Sequence, residues 1–498
     1  MRIPRITVQK RETFIPSLSN CLEEALVIKH LVVIYQENVS FDHYFATYPV
    51  AANSSGEPRF SAADGTPSVN GLSGPLLGAR NPNSAAPFRL ARSQAQTCDQ
   101  DHTCTDEQKA FDSGLMDKFV ETVGRGSASC ADYGKGPGLV MGYYVGNVVT
   151  ALWNYAQRFA MSDSSSGTTF GPSTPGALNL VSGQTHGFAQ TSGAVTVNGS
   201  VIGDPQPTGE VCDTRDTTTS TGPKNTNVGD LLNAKNVSGG WFQGDFADCT
   251  VKHTSVGGVS STDYTSHHEP FQYFASTANP THACPTSLAE VGHGGPANHQ
   301  YDITDFWSAV DAQSMPAVSF LKSSAYQDGH AGYSSPLDEQ SFLVETINRL
   351  QKAPDWASTA VVIAYDDSDG WYDHQMSPIV NQSIDPAHDG LTAAGTCGTN
   401  PAKVVGGYHD RCGYGPRLPL LVVSPYAKTN FVDHSVTDQS SILRFVEDNW
   451  GTAPVGSFSF DERAGTLDNL FSFADTKGAS EGQHTLILDL ATGQPVDD

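Results

Sequence analysis

Apolar and polar positions alternate in blocks along the chain. Leu31-Val32-Val33-Ile34-Tyr35 is an unbroken apolar run that stops at Gln36-Glu37-Asn38, the pattern of a buried strand emptying into a polar loop. Comparable short runs predict strands over 159–162, 240–243, 317–321, 359–365 and 418–423. Between them, 151–158 reads as a helix, and Phe342, Leu343, Ile347 and Leu350 recur at helical spacing within 338–350. Residues 440–450 form an amphipathic pattern behind Asp438 as its cap. Alternating strands and helices predict an α/β fold with a central, mainly parallel sheet covered on both faces. Ligands bind such sheets at the carboxyl ends of the strands.

Two stretches break the alternation. Residues 51–96 are rich in Ser, Gly, Pro and Asn and read as a long loop or excursion. Residues 192–223 are rich in Thr, Gly and Val and read as a β excursion or irregular flap. No internal repeat or separating linker is visible, so the expectation is one domain over 1–498, with its core at about 28–450.

Charge narrows the partners. The chain has 498 residues with 53 Asp+Glu against 28 Lys+Arg, a formal charge of −25. Such a surface repels phosphate backbones and anionic leaflets, and no basic stripe offsets it, so no nucleic-acid partner is expected. No run of about 18 apolar residues suggests a membrane span, and no stable membrane insertion is expected. The N-terminus has the basic start of a signal peptide without an apolar segment behind it. Nine cysteines without a CxxC pair argue against zinc knuckles and thioredoxin-like chemistry. Cys98 with Cys104, and Cys397 with Cys412, are close enough to staple loops in an oxidising compartment, which points to a secreted or periplasmic protein. Free buried thiols are the alternative.

Candidate chemistry follows directly on predicted strands or opens a helix. Glu37-Asn38 succeeds the first strand, Asp366-Asp367 succeeds 359–365, and Ser173 lies in Gly171-Pro172-Ser173-Thr174-Pro175-Gly176. Strand-end placement brings all of them to one edge of the sheet. Three carboxylates, an amide and a hydroxyl suit one hard or borderline divalent cation, which would lower the pKa of the Ser173 hydroxyl. Ser173 can also cap a helix over 174–182, with Pro175 in its first turn and Gly183 past its end. Exposed amides there favour a phosphate dianion. An ordinary cap without chemistry remains the alternative.

These residues resemble a known family. The run from Val33 through Gln36-Glu37-Asn38-Val39-Ser40-Phe41-Asp42-His43 to Phe45 is similar to the signature of the bacterial phosphoesterases that include phospholipases C and acid phosphatase A. Cys98-Asp99-Gln100-Asp101-His102, the Gly-Pro-Ser-Thr-Pro-Gly turn, His268-Glu269-Pro270-Phe271, Asp328-Gly329-His330 and Tyr365-Asp366-Asp367-Ser368-Asp369-Gly370-Trp371-Tyr372-Asp373-His374 follow in the same order. The resemblance implies an alkaline-phosphatase-like three-layer sandwich. It also implies Glu37, Asn38, Asp366 and Asp367 as metal ligands, Ser173 as ligand and nucleophile, and His102, His268 and His330 around the phosphoryl group. Position 39 departs from the family, with Val where a polar residue is usual.

The Ser-Thr-Pro-Gly turn and the short chain after the last core helix resemble the acid phosphatase branch. The expected activity is therefore metal-assisted hydrolysis of phosphomonoesters through a phosphoserine, with retention at phosphorus and an optimum on the acid side. Phospholipase C action on phosphatidylcholine-type diesters is the alternative, so the expected partner is a small phosphate ester or a phospholipid headgroup. A metal-free serine esterase fits poorly, because the serine turn is Gly-x-Ser-x-Pro rather than Gly-x-Ser-x-Gly. A non-enzymatic phosphate- or metal-binding protein leaves the nucleophile unexplained.

Overall fold

The computed structural model describes residues 26–125, 136–190, 195–214, 218–221, 225–383, 397, 403–408, 412–473 and 484–496. The basic N-terminal start, Cys21, Cys130 and parts of 192–223 lie outside these residues. Eight strands build the central sheet: β1 (His30–Gln36), β2 (Ala160–Ser162), β3 (Gly239–Gln243), β4 (Gln300–Asp302), β5 (Val318–Lys322), β6 (Thr359–Tyr365), β7 (Leu420–Val423) and β8 (Phe431–Asp433). Their order is β4-β3-β5-β1-β6-β7-β2-β8. All neighbours are parallel except at β7, which runs antiparallel to both β6 and β2. The sheet is mainly parallel, as expected. The two edge strands β4 and β8 are three residues each and carry little apolar signal, so the sequence pattern does not reveal them.

Among the described residues, six helices cover the sheet: α1 (Thr150–Arg158), α2 (Ser173–Ser182), α3 (Val228–Lys235), α4 (Ile303–Asp311), α5 (Pro336–Lys352) and α6 (Ser440–Trp450). Helix α2 packs on α3 and α6, whereas α1 packs on α5. Arg349 of α5 pairs with Asp311 and lies over the Trp307 ring, both on α4. Neighbouring residues of β3 show that the two groups occupy opposite faces. Trp241 meets Phe271, in a turn that packs on α2, while Phe242 meets Phe306 on α4. Consecutive strand side chains point to opposite faces, so the fold has three layers.

A side-chain cap explains where α5 begins. Ser335 accepts the amides of Leu337 and Asp338 ahead of Pro336, starting α5 two residues before the predicted helix. The predicted Asp438 cap of α6 is corrected: Asp438 accepts the Ser440 amide at 3.1 Å, but Gln439 holds the cap position and its side chain makes no capping bond. Ser173 is a correction: it is the first residue of α2, and Pro172 holds the cap position without a side-chain capping bond. The Ser173 hydroxyl is directed to acids instead. Within 195–221 the described residues form short strands that pair with one another and with Phe188–Gln190, so this stretch is a β excursion.

A buried arginine ties the loops after β1 and β6 together. Arg417 donates through Nε to Asp373 Oδ2 at 3.1 Å and through Nη2 to Asp42 Oδ1 at 3.0 Å. Its Nη1 reaches the carbonyls of Asn70 and Asp163, and its guanidinium lies 4.3 Å from the Phe41 ring centroid. Asp42 also accepts the His374 amide at 2.9 Å. Disulfides join Cys397 to Cys412, as expected, and Cys212 to Cys249. The expected Cys98–Cys104 staple is not formed: Cys98 is disulfide-bonded, but Cys104 is a buried free thiol on the helix Cys104–Phe111.

Candidate active site

Parallel register puts two acid-bearing loops side by side. β1 and β6 pair through Gln36 and Tyr365, so Glu37-Asn38 and Asp366-Asp367 leave adjacent strands at the same carboxyl edge. Their backbones then lock together. The Asn38 amide donates to Asp366 Oδ1 at 2.9 Å, the Asp367 amide donates to the same oxygen at 2.7 Å, and the Val39 amide donates to the Asp367 carbonyl at 2.9 Å. Asn38 adopts φ 60° to make this turn, a conformation asparagine tolerates better than most residues.

The first turn of α2 delivers Ser173 to these acids. A Cβ at Gly176 would sit 2.2 Å from the Asp366 carbonyl oxygen, so only glycine lets the helix approach this closely. The Ser173 hydroxyl lies 3.1 Å from Glu37 Oε2 and 3.1 Å from Asp367 Oδ2, with all three residues buried. Asp204 accepts the Thr174 amide at 2.9 Å, placing a further carboxylate at the start of the helix.

Histidines surround this serine. Ser173, His102, His268 and His330 line one cleft of about 410 Å³, whose only aliphatic lining residue among those described is Ala325. His268 Nδ1 lies 3.0 Å from Glu37 Oε1, while the neighbouring His267 carbonyl accepts from Thr174. His102 Nδ1 lies 3.2 Å from Asp369 Oδ1, and the His102 and His330 rings meet edge-on at 6.1 Å. A Cβ at Gly370, which has φ 69°, would strike the Asp101 carbonyl at 2.3 Å; glycine thus brings the His102 loop against the Asp366-Asp367 loop.

Burial and charge set the protonation of these groups. Burial and then the Asp366 charge push Glu37 well above the ordinary carboxylate range, with Lys322 pulling the other way. Asp367 is pushed up by burial and Asp366, against the pull of His102. Burial opposes a charge on His102, but Asp367, Asp369 and Asp99 outweigh it and hold the imidazole well above its ordinary value. Burial holds His330 down, with Asp99 acting against it.

The donor set fits a cation. Asn38 Oδ1 and Nδ2 and Asp366 Oδ2 are buried without hydrogen-bond partners, although buried polar groups are normally satisfied. Asp366 Oδ1 is already committed to two backbone amides, so its second oxygen is the one left to bind. With Glu37, Asp367 and the Ser173 hydroxyl these atoms form an oxygen-rich set suited to a hard or borderline dication.

All eight site residues expected from the sequence gather at this edge. Several participants lie outside that set. Lys322, at the end of β5, is buried and ion-paired with Glu37 Oε1. Asp369 orients His102, and Asp328 accepts the His330 amide at 2.9 Å and the Tyr333 hydroxyl at 3.0 Å. Lys322 ends its strand as Gln36 ends β1, so the strand-end signal that marks Glu37 could have found it.

Comparison with known proteins gives the family. Residues 28–453 match the phosphoesterase family. The chain is 25% identical over 463 residues to a non-hemolytic phospholipase C of Pseudomonas aeruginosa, covering 90% of this chain and 58% of that protein. It is 24% identical over 461 residues to phospholipase C A of Mycobacterium tuberculosis, covering 90% and 78%. The chain thus spans little more than half the length of the Pseudomonas relative and of a non-hemolytic phospholipase C of Burkholderia pseudomallei. Among solved structures, murine ectonucleotide pyrophosphatase/phosphodiesterase 5 aligns over 65% of this chain and 95% of its own with a TM-score of 0.34 and 10% identity. With the family matched across most of its length, the chain belongs to the phosphoesterase family.

Proposed function

We propose that this phosphoesterase hydrolyses small phosphoric esters through a Ser173 nucleophile in two displacements, with phosphomonoesters preferred. The observation that carries the reading is the Ser173 hydroxyl, held 3.1 Å from each of two carboxylate oxygens and opening on a cleft lined by three of the expected histidines. Glu37, Asn38, Ser173, Asp366 and Asp367 would hold one divalent cation, which when bound supplies the positive charge that acidifies a hydroxyl and offsets phosphate.

The remaining work falls to the side chains. Ser173 Oγ attacks phosphorus in line, and its proton has carboxylate acceptors at Glu37 Oε2 and Asp367 Oδ2. His102, kept protonated by its acids, donates to a phosphoryl or leaving oxygen. His330 shares that task once protonated, and its lowered value supports an acid-side optimum. Water then cleaves the phosphoserine, so the two inversions give retention. The polar cleft and the Ser-Thr-Pro-Gly turn support a small polar ester.

The names of the bacterial relatives favour a second reading, phospholipase C action on a phosphodiester headgroup. A panel of p-nitrophenyl phosphate, bis-p-nitrophenyl phosphate and phosphatidylcholine, assayed with and without added divalent metals, separates the two. Monoester turnover that vanishes in Ser173→Ala is expected. Unchanged turnover in that variant would remove the nucleophile assignment, and preference for phosphatidylcholine would replace the substrate class. Disulfides at Cys212–Cys249 and Cys397–Cys412 support an exported, secreted or periplasmic location.

A further inference from the structure

The proposed cation site holds three carboxylates, Glu37, Asp366 and Asp367, and one dication balances only two of them. The uncompensated charge would face an incoming phosphate dianion inside a low-dielectric cleft, where a single charge matters most. The fold supplies a second cation for this position.

Lys322 is the last residue of β5, which pairs in parallel with β1 through Leu321 and Ile34. That register carries Lys322 to the same carboxyl edge as Glu37. Its side chain is 1% exposed and its ammonium contacts Glu37 Oε1. The same oxygen lies 3.0 Å from His268 Nδ1, while Oε2 faces the Ser173 hydroxyl at 3.1 Å. Glu37 is therefore split: one oxygen is occupied by Lys322 and His268, and the other is left for the reacting side. Besides Glu37 and Asp366, the acid acting on the ammonium is Asp328. Its carboxyl is pushed up to about 7 by burial, against the pull of Lys322, and its oxygens are held by the His330 amide and Tyr333.

We infer that Lys322 is a positioning residue of this site: it restricts Glu37 to a single free oxygen and supplies the positive charge that one dication leaves missing, so that the loaded site accepts a phosphate dianion. The inference rests on the one-dication serine phosphoesterase reading. Its consequence has two opposite signs. The ammonium repels the cation and competes for Glu37, so it weakens metal binding; it attracts phosphate, so it strengthens binding of the product. A residue that only maintained the packing would lower both affinities when lost.

The test is calorimetric titration of the metal-stripped full chain with Mn²⁺, then of the Mn²⁺-loaded protein with inorganic phosphate, for wild type, Lys322→Met, Lys322→Gln and Lys322→Arg. Lys322→Gln keeps a donor for Glu37 without the charge. Both uncharged variants are expected to bind Mn²⁺ at least about tenfold more tightly and phosphate at least about tenfold more weakly, and Lys322→Arg to stay within about threefold on both. Parallel loss of both affinities, no change in either, or arginine behaving like methionine would overturn the inference. Failure of both uncharged variants to fold, read by circular dichroism, would make Lys322 a packing element and overturn it as well. Wild type that binds no Mn²⁺ would sink the inference together with the dication it assumes. Persistent activity of Ser173→Ala would instead sink the nucleophile assignment and leave the two titrations standing.

Discussion

Two acid clusters lie close together in sequence yet differ in kind. Asp42 and Asp373 follow the strand-end motifs of β1 and β6, as do Glu37 and Asp366-Asp367, and all five acids are buried. Around Arg417, each guanidinium nitrogen has a partner, and the two carboxylates are bound by that guanidinium and by backbone amides. Around Ser173, the Asn38 side-chain amide and Asp366 Oδ2 have none. A buried polar cluster that satisfies itself can brace two loops. One that leaves oxygens unpartnered carries a standing cost that a ligand removes. The first cluster thus braces the loops, and the second is the one on which the proposed function draws.

Substitutions can separate the two roles. Ser173→Ala should lower turnover of p-nitrophenyl phosphate by at least about 10³-fold while leaving the denaturant midpoint nearly unchanged. A stability loss comparable to the loss of activity would erase the distinction. Arg417→Met should do the reverse, costing about 3–5 kcal/mol in urea unfolding because two buried carboxylates lose their cation. Saturating the stripped protein with a dication at about 100 times its Kd should add about 2.7 kcal/mol of stability, read as a rise in Tm, and Asp366→Asn should abolish most of that rise. The Arg417 cluster, already satisfied, should contribute nothing to it.

The smallest effect concerns pH. Burial pushes Glu339, which accepts from the Tyr44 and Tyr365 hydroxyls, up to about 8 from the ordinary 4.5. The folded chain then holds a proton that the unfolded chain has lost. This group's stabilisation is fully present below about pH 4.5 and is lost as pH rises through about 8. Glu339→Gln should remove a slope of at most about 1.4 kcal/mol per pH unit across that window, measured by urea unfolding at successive pH values. An unchanged slope would place the pH dependence in the Ser173 cluster instead.

Local pattern revealed the strands that carry the site. β1 and β6 are continuous apolar runs because both faces are buried, and their ends announce Glu37 and Asp366. Chemistry that depends on pairing was less legible. Ser173 reads as a helix cap from its turn alone; only the neighbouring strands' acids draw its hydroxyl away. Cys98 and Cys104 look like a loop staple by spacing, yet a helix starting at Cys104 buries that thiol among Phe111, Phe119 and Phe170. Lys322 directly follows the predicted strand 317–321, but its burial against Glu37 comes from the pairing of β5 with β1.

The sequence by itself determined the alternating architecture, the edge at which chemistry gathers, and the residue types gathered there, because burial periodicity and turn chemistry are local properties. Tertiary structure alone decided which acids are neutralised and which are left open. That outcome depends on register: β5 beside β1 sets Lys322 against Glu37, and β6 beside β1 ties the Asn38 amide to Asp366, whereas the loops beyond deliver Asp42 and Asp373 to Arg417. Charge compensation in a buried site acts over a few ångströms between segments hundreds of residues apart, and no local pattern records it.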